Sequence, residues 1–199
     1  MDVFSESKIL QPNLQDANLV YDSAFFSIQE ASAYFEILKE ETHWQQDDIK
    51  LFGKTHKQPR LTALYGEGKS YSYSGITMFP HPFTSVLKEI KKKVEEFSKE
   101  KFNTVLLNLY RDGNDSNGWH SDEEKELGEN PSIASVNLGT ERIFHLKHRT
   151  DKLQRYKLLL ENSSLLLMKG KTQHFWQHQL PKSKKITKER INLTFRKIK

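Results

Sequence analysis

Just past the middle of this 199-residue chain, Gly118-Trp119-His120-Ser121-Asp122-Glu123-Glu124 sets a histidine and a carboxylate two residues apart. In an extended segment residues i and i+2 point to the same side, so His120 and Asp122 can converge on one metal ion from a single strand end. A third ligand must come from elsewhere, and the C-terminal half offers His145, His148, His174 and His178. His178 stands out because His178-Gln179-Leu180-Pro181 reads as a strand running into a turn, close to a basic terminus. Two histidines and one carboxylate on one face leave coordination positions open, the pattern of non-haem Fe(II) sites. H-x-D alone is short enough to arise often by chance.

A second constellation lies in Arg190-Ile191-Asn192-Leu193-Thr194-Phe195-Arg196. The arginines are an even number of residues apart, so on a strand both point to one face, towards a jelly-roll interior. Buried guanidiniums need anionic partners, and a dicarboxylate cosubstrate would supply one. Arginine also grips a carboxylate in bidentate fashion, which lysine cannot do. Asn108 and Tyr110, two apart on the strand leading into H-x-D, can hydrogen-bond the same molecule. The competing expectation puts Arg196 on the surface and Tyr110 in the core.

These residues need a scaffold. The chain is long enough for one well-buried core, and its 36% hydrophobic and 29% charged residues suit a globular domain. It contains no apolar run of about 18 residues or more, so no membrane partner is expected. The N-terminus lacks the charged-then-apolar pattern of a secretory signal. With no cysteine, disulfides and thiolate ligands are excluded and a metal must use His, Asp or Glu. The net charge is +5, and between Pro181 and Lys199 eight cations face only Glu189, which favours a polyanionic partner such as nucleic acid.

Residues 1–20 show no periodicity and read as an arm. Ser27-Ile28-Gln29-Glu30 forms a capping box, and Ala31, Tyr34, Phe35 and Leu38 follow at helical spacing, which predicts a helix over 29–41. Between 49 and 79 short apolar and aromatic pieces alternate with Gly, Pro and lysines, a pattern that can stack bases and hold phosphates. A second helix is expected to open at Pro82, with Ile90, Val94 and Phe97 on its inner stripe. From 102 onward the pattern is strand-like. Strands are expected at 104–110, 132–138, 142–147, 156–160, 164–168, 173–178 and 190–196, which suggests a jelly roll with the helices outside. The fold class is therefore mainly β with flanking helices (α+β), in a single domain over 21–199.

Four motifs in order, Asn108-Leu109-Tyr110-Arg111-Asp112-Gly113, Gly118-Trp119-His120-Ser121-Asp122, His178 and Arg190-x5-Arg196, resemble the AlkB family of Fe(II)/2-oxoglutarate dioxygenases. The likeness runs from about Leu51 to Lys199, and the C-terminal motif looks especially like the AlkB-homologue-2-type repair demethylases. The resemblance implies a double-stranded β-helix over about 102–199 with a nucleotide-recognition lid over about 49–79. It implies Fe(II) on His120, Asp122 and His178, and 2-oxoglutarate on Asn108, Tyr110, Arg190, Asn192, Thr194 and Arg196. Either Arg190 or Arg196 would hold the distal carboxylate, and dioxygen would be the second cosubstrate.

The implied reaction is oxidative removal of N-methyl groups from 1-methyladenine and 3-methylcytosine in DNA, with formaldehyde, carbon dioxide and succinate released. In this likeness Leu51-Phe52-Gly53 is the finger that fills the gap left by a flipped base, where a flat ring replaces lost stacking. Tyr71, Tyr73 and Ser74 line the base pocket with His120 opposite, Trp119 and Glu124 contact the substrate, and Arg60 contacts phosphates. The basic segment Lys147–Arg155 would hold the opposite strand. Duplex DNA is expected to be tolerated, with RNA as an alternative substrate and a monomer as the working form. The expected location is cytoplasmic in a bacterium or nuclear in a eukaryote, and not secreted. A silent nucleic-acid-binding module and a zinc hydrolase using the same three ligands are the alternatives from other classes.

Overall fold

The structure is a computed structural model that describes residues 8–51, 54–67, 71–73 and 76–199; of residues 50, 51, 71–73 and 76–78 only the backbone is described. The chain opens with β1 (Ile9–Leu10), β2 (Asn18–Asp22) and α1 (Ile28–Glu41). Next come β3 (Asp48–Leu51), β4 (Lys54–Lys57), β5 (Leu61–Gly66), β6 (Tyr71–Tyr73) and β7 (Ile76–Met78). After α2 (Ser85–Ser98) follow β8 (Thr104–Tyr110), β9 (Asn117–His120), a 3-10 turn at Lys125–Leu127 and β10 (Ile133–Gly139). The remainder is β11 (Arg142–His148), β12 (Arg155–Leu160), β13 (Leu165–Lys169), α3 (Thr172–Phe175), β14 (Trp176–Leu180) and β15 (Arg190–Arg196).

Two antiparallel sheets face one another. The larger runs β1-β2-β13-β10-β15-β8-β5 and the smaller β12-β11-β14-β9, while β3-β4 and β6-β7 are separate hairpins. Strand alternation decides which side chains fall between the sheets. On β15, Ile191, Leu193 and Phe195 join the cluster that also contains Ala31, Tyr34 and Leu38 of α1 and Leu87, Ile90 and Val94 of α2. The opposite parity turns Arg190, Asn192, Thr194 and Arg196 into the space between the sheets, as the even spacing predicts. A second cluster, including Leu106, Leu146, Leu160, Leu166 and Trp176, seals that space on its apolar side. Each such aliphatic side chain contributes roughly 1.5–3 kcal/mol by leaving water.

The expected helices and strands appear, with several differences, among them the additional strands β1 within the expected arm and β9 at the H-x-D motif. Ser27 and Glu30 make the reciprocal capping bonds that start α1. The second helix starts later than Pro82, because Thr84 is its N-cap and takes the Leu87 amide at 3.4 Å on its hydroxyl oxygen. Residues 173–175, expected as strand, turn in α3, where the Thr172 hydroxyl donates to the Lys169 carbonyl at 2.6 Å and closes the turn. Residues 18–20, expected within an arm, are the first residues of β2. This strand covers the exposed edge of β13, pairing Leu167 with Val20 and Met168 with Leu19, and so satisfies backbone groups that periodicity does not register. Among the described residues no helix is long and apolar enough to cross a membrane.

Candidate active site

β9 is the edge of the smaller sheet, and its register with β14 sets His120 directly opposite His178. Their Nε2 atoms lie 3.1 Å apart, and Asp122, two residues beyond β9, brings Oδ2 to 4.0 Å from His178 Nε2. One ligand atom from each of the three residues lies within 4.8 Å of the others. The His120 Nδ1 hydrogen donates to the Gly118 carbonyl at 2.7 Å, since a carbonyl can only accept. Neutral His120 therefore presents an Nε2 lone pair to the cluster, held further by the Asn117 amide at 3.2 Å.

Burial, with the neighbouring His120, pushes the His178 imidazole down to about 3. Burial likewise lowers His120. Both rings are thus unprotonated at neutral pH, the form that binds metal. For Asp122 burial alone would raise the carboxyl, but the charges of Arg196 and the two histidines outweigh it and hold it at about 2. Asp122 is 1% exposed and its two oxygens differ. Oδ1 accepts from Arg196 Nη2 at 2.8 Å, while Oδ2, on the histidine side, takes no hydrogen bond among the described residues. A buried carboxylate oxygen beside two neutral imidazoles is a donor set for a divalent cation, and it suits Fe(II). The Asp122 amide donates to Gln173 Oε1 at 3.0 Å, fixing the loop.

From this cluster a narrow cavity extends between the sheets to Arg190. Arg190 is buried, its guanidinium 5.3 Å over the Tyr110 ring and one amino group on Asn137 Oδ1. Among the described residues it meets no carboxylate, and its Nε has no hydrogen-bond partner. Burial and the nearby Arg142 push it down to about 10, partly offset by Tyr110. Such a buried cation is the complement of a ligand carboxylate. Arg196 is instead committed to Asp122, so of the two arginines Arg190 is the one placed for a distal carboxylate. Asn192 and Thr194 line the cavity but are tied inward: the Asn192 amide donates to Ser135 and Val136, and Thr194 donates to Asn192.

Arg60, expected at a phosphate, is buried instead of surface-exposed. It is 3% exposed, and its Nε donates to Asn108 Oδ1 at 2.7 Å while Nη1 reaches the Ser116 carbonyl at 3.3 Å. A cation at the carbonyl end of the Asn108 amide fixes its orientation, which leaves the amide hydrogens as the group Asn108 can offer the cavity. Of the other candidate ligands, His145 lies on the outer face of the smaller sheet. His148 is buried against Phe175 and Trp176, and His174 is exposed.

Trp119 is exposed beneath Lys147 Nζ, 4.3 Å from the ring centroid, and Glu124 is half-buried ahead of the 3-10 turn; neither lines the cavity. In the basic hairpin, Arg149 binds Ser121 and Glu123, bracing the segment between the ligands. Phe52, Gly53 and Ser74 lie outside the described residues, and Tyr71 and Tyr73 are described only as backbone of β6. Sequence reasoning missed Gln173, Asn117 and Arg142. The last is buried and bonded to the carbonyls of Asp112, Asp115 and Pro181, partners that no spacing rule announces.

Two antiparallel sheets enclosing a two-histidine, one-carboxylate cluster and a buried arginine define an oxygenase-like jelly roll. Residues 18–196 match the family model described as the 2OG-Fe(II) oxygenase superfamily, and the chain belongs to that superfamily. It is 41% identical over 188 residues to "Alpha-ketoglutarate-dependent dioxygenase alkB homolog 3" of Bos taurus, covering 87% of this chain and 64% of that protein. It is 37% identical over 187 residues to "DNA oxidative demethylase ALKBH2" of Mus musculus, covering 88% and 78%. The chain thus spans somewhat less than two thirds of the alkB homolog 3 relatives. The solved structure of OsALKBH1 shares the fold, with a TM-score of 0.66 at 16% identity over 96% of this chain and 99% of that one. The AlkB-like character expected from the four motifs is borne out.

Proposed function

We propose that this chain is an Fe(II)- and 2-oxoglutarate-dependent dioxygenase that removes N-methyl groups from DNA bases such as 1-methyladenine and 3-methylcytosine. The observation that carries it is the Asp122 carboxylate, divided between Arg196 and the two histidines, at one end of a cavity whose other end is the uncompensated Arg190. The relatives named as an alkB homolog and as a DNA oxidative demethylase support the chemistry and the substrate class.

In this account His120, Asp122 and His178 hold the iron, and Arg196 keeps Asp122 ionised and oriented. Arg190 takes the far carboxylate of 2-oxoglutarate, with the Asn108 amide and the Tyr110 hydroxyl as neutral donors. Bound iron, with dioxygen and 2-oxoglutarate, supplies an oxidant for the N-methyl C–H bond, and 2-oxoglutarate leaves as succinate and carbon dioxide. Phe144, Leu160, Met168 and Leu180 line the cavity as apolar wall and keep bulk water from the reacting groups. The hydroxymethylated base then releases formaldehyde, which restores the pairing edge. Damaged bases are the cheapest to flip, because their pairing is already broken.

The lid over 49–79 and the jelly roll over 102–199 act as one catalytic domain that works as a monomer. The test is a side-by-side turnover assay on 3-methylcytosine in single-stranded DNA, duplex DNA and RNA with Fe(II), ascorbate and 2-oxoglutarate. Repair of a DNA strand is expected. Turnover confined to RNA would move the substrate class, and none on any strand despite Fe(II) binding would remove the demethylase reading.

A further inference from the structure

Arg190 is held from behind by a residue that the cavity does not touch. On β10, Ala134, Val136 and Leu138 belong to the cluster that α1 and α2 cover, so Ser135 and Asn137 face the space between the sheets. Ser135 lines the cavity, whereas Asn137 is 1% exposed and stands outside the lining. Register sets Asn137 opposite Asn192 and Gly139 opposite Arg190. Arg190 is therefore a diagonal neighbour of Asn137, within reach of a long side chain. One of its amino groups donates to Asn137 Oδ1.

The orientation of the Asn137 amide is forced. Its Nδ2 donates to the Ser164 hydroxyl at 3.1 Å and shares its hydrogens with the carbonyls of Ser135 at 3.2 Å and Ser164 at 3.4 Å. Asn192 Nδ2 lies 3.3 Å from Asn137 Oδ1 as a second donor to it. A flipped amide would set its oxygen against two carbonyls and its hydrogens against Arg190 and the Asn192 amide. This anchor opposes a definite force. Arg142 stands 5.9 Å from the centroid of the Tyr110 ring and Arg190 5.3 Å from it, so two guanidiniums share one ring and repel. Because Asn137 is neutral, it holds Arg190 without cancelling the charge that a ligand carboxylate needs.

We infer that Asn137 is a positioning residue that fixes the depth of Arg190, and with it the length of the 2-oxo dicarboxylic acid the cavity accepts. The inference rests on the reading above, in which the 2-oxo end lies at the metal cluster and the far carboxylate at Arg190. A guanidinium held at one depth fits one chain length. Released from Asn137, it can follow the carboxylate of an acid one methylene longer.

The experiment is calorimetry on the Mn(II)-loaded protein with 2-oxoglutarate and with 2-oxoadipate, which is one methylene longer, alongside a thermal melt of each variant. Asn137→Ala should weaken 2-oxoglutarate about tenfold, near the lower bound for a hydrogen bond to a charged group. It should leave 2-oxoadipate nearly unchanged, so the preference between the acids falls. Asn137→Asp keeps an anchor of the same shape but neutralises Arg190, so both acids should weaken and the preference should stay. Ser164→Ala withdraws only a partner of the Asn137 amide. It should reduce the preference about threefold, as the loss of a neutral hydrogen bond does, and it decides the matter if Asn137→Ala does not fold.

A wild-type preference in whichever of Asn137→Ala and Ser164→Ala folds would overturn the inference. So would equal weakening of both acids in Asn137→Ala, which a merely structural role produces, or a lost preference in Asn137→Asp. Wild type that binds neither acid would instead remove the cosubstrate reading itself, and the role of Asn137 with it.

Discussion

Single residues set how charge is distributed along one cavity. Asp122 can bind a cation because Arg196 takes only one of its oxygens, and Arg190 can bind a carboxylate because no protein carboxylate reaches it. Arg190→Met should therefore raise KM for 2-oxoglutarate by a hundredfold or so, about the 1.5–3 kcal/mol of a hydrogen bond to a charged group. Isothermal calorimetry with the metal-loaded protein checks this, and unchanged affinity would place the carboxylate elsewhere. Arg60→Met frees the Asn108 amide to turn and should raise the same KM about tenfold, or about 1.4 kcal/mol. Weaker DNA binding with KM unchanged would return Arg60 to the phosphate role.

Sequence parity sufficed for His120 and Asp122, and for the shared face of Arg190 and Arg196. It failed for Arg60, because residue type alone sends an arginine to the surface. Its burial depends on Asn108, 48 positions away, which no local pattern reveals.

At the scale of elements, the site is held by contacts outside it. Gly113, between β8 and β9, donates to the Ile186 carbonyl at 2.9 Å and accepts from the Ser183 amide at 2.8 Å, docking the loop between β14 and β15. A Cβ there would sit 1.8 Å from the Ser183 carbonyl oxygen, a backbone atom with no freedom to swing away. Gly113→Ala should cost about 1–3 kcal/mol, as overpacking does. It should also displace the loop that leads into Arg190, so a thermal melt and 2-oxoglutarate binding should both worsen. A variant with wild-type values for both would contradict the docking role.

Helices α1 and α2 are joined by Lys93, whose hydrogen bond to Glu30 lowers that carboxyl to about 2. A depressed carboxyl contributes stability above its unfolded value near 4.5, and this is lost as pH falls towards 2. Glu30→Gln should therefore flatten the acid limb of stability against pH, modestly because the pair is part-exposed. An identical acid limb would show that the contact is screened out.

The capping box at Ser27 and Glu30 was readable because its partners are three residues apart. The covering of β13 by β2 was not, because all five residues of 18–22 pair with a strand over 140 positions away, and the nearer partner β1 is only two residues long.

At the scale of the molecule, alternation in the C-terminal half was enough to predict two sheets with helices outside. The order in which the strands pair, and hence which edge carries the metal cluster, emerges only in three dimensions. β9 is short and exposed, with little apolar signal of its own, and it becomes a strand through its pairing with β14. That pairing sets His120 opposite His178 and turns a two-residue motif into a three-ligand cluster.

Ligand binding at this cluster should also stabilise the whole fold. Fe(II) or Mn(II) with 2-oxoglutarate, each at a hundredfold excess over Kd, should add about 2.7 kcal/mol per ligand to unfolding stability. The melt of Asp122→Ala should not respond to the metal; a response equal to wild type would move the metal elsewhere.

In the proposed function this cluster couples 2-oxoglutarate turnover to demethylation. The direct measurement is simultaneous quantification of succinate, formaldehyde and restored cytosine from a 3-methylcytosine strand, with wild type and His120→Ala run in parallel. Equal amounts of the three products from wild type, and none from His120→Ala, are expected. Succinate without formaldehyde or restored base, or repair retained in His120→Ala, would contradict it.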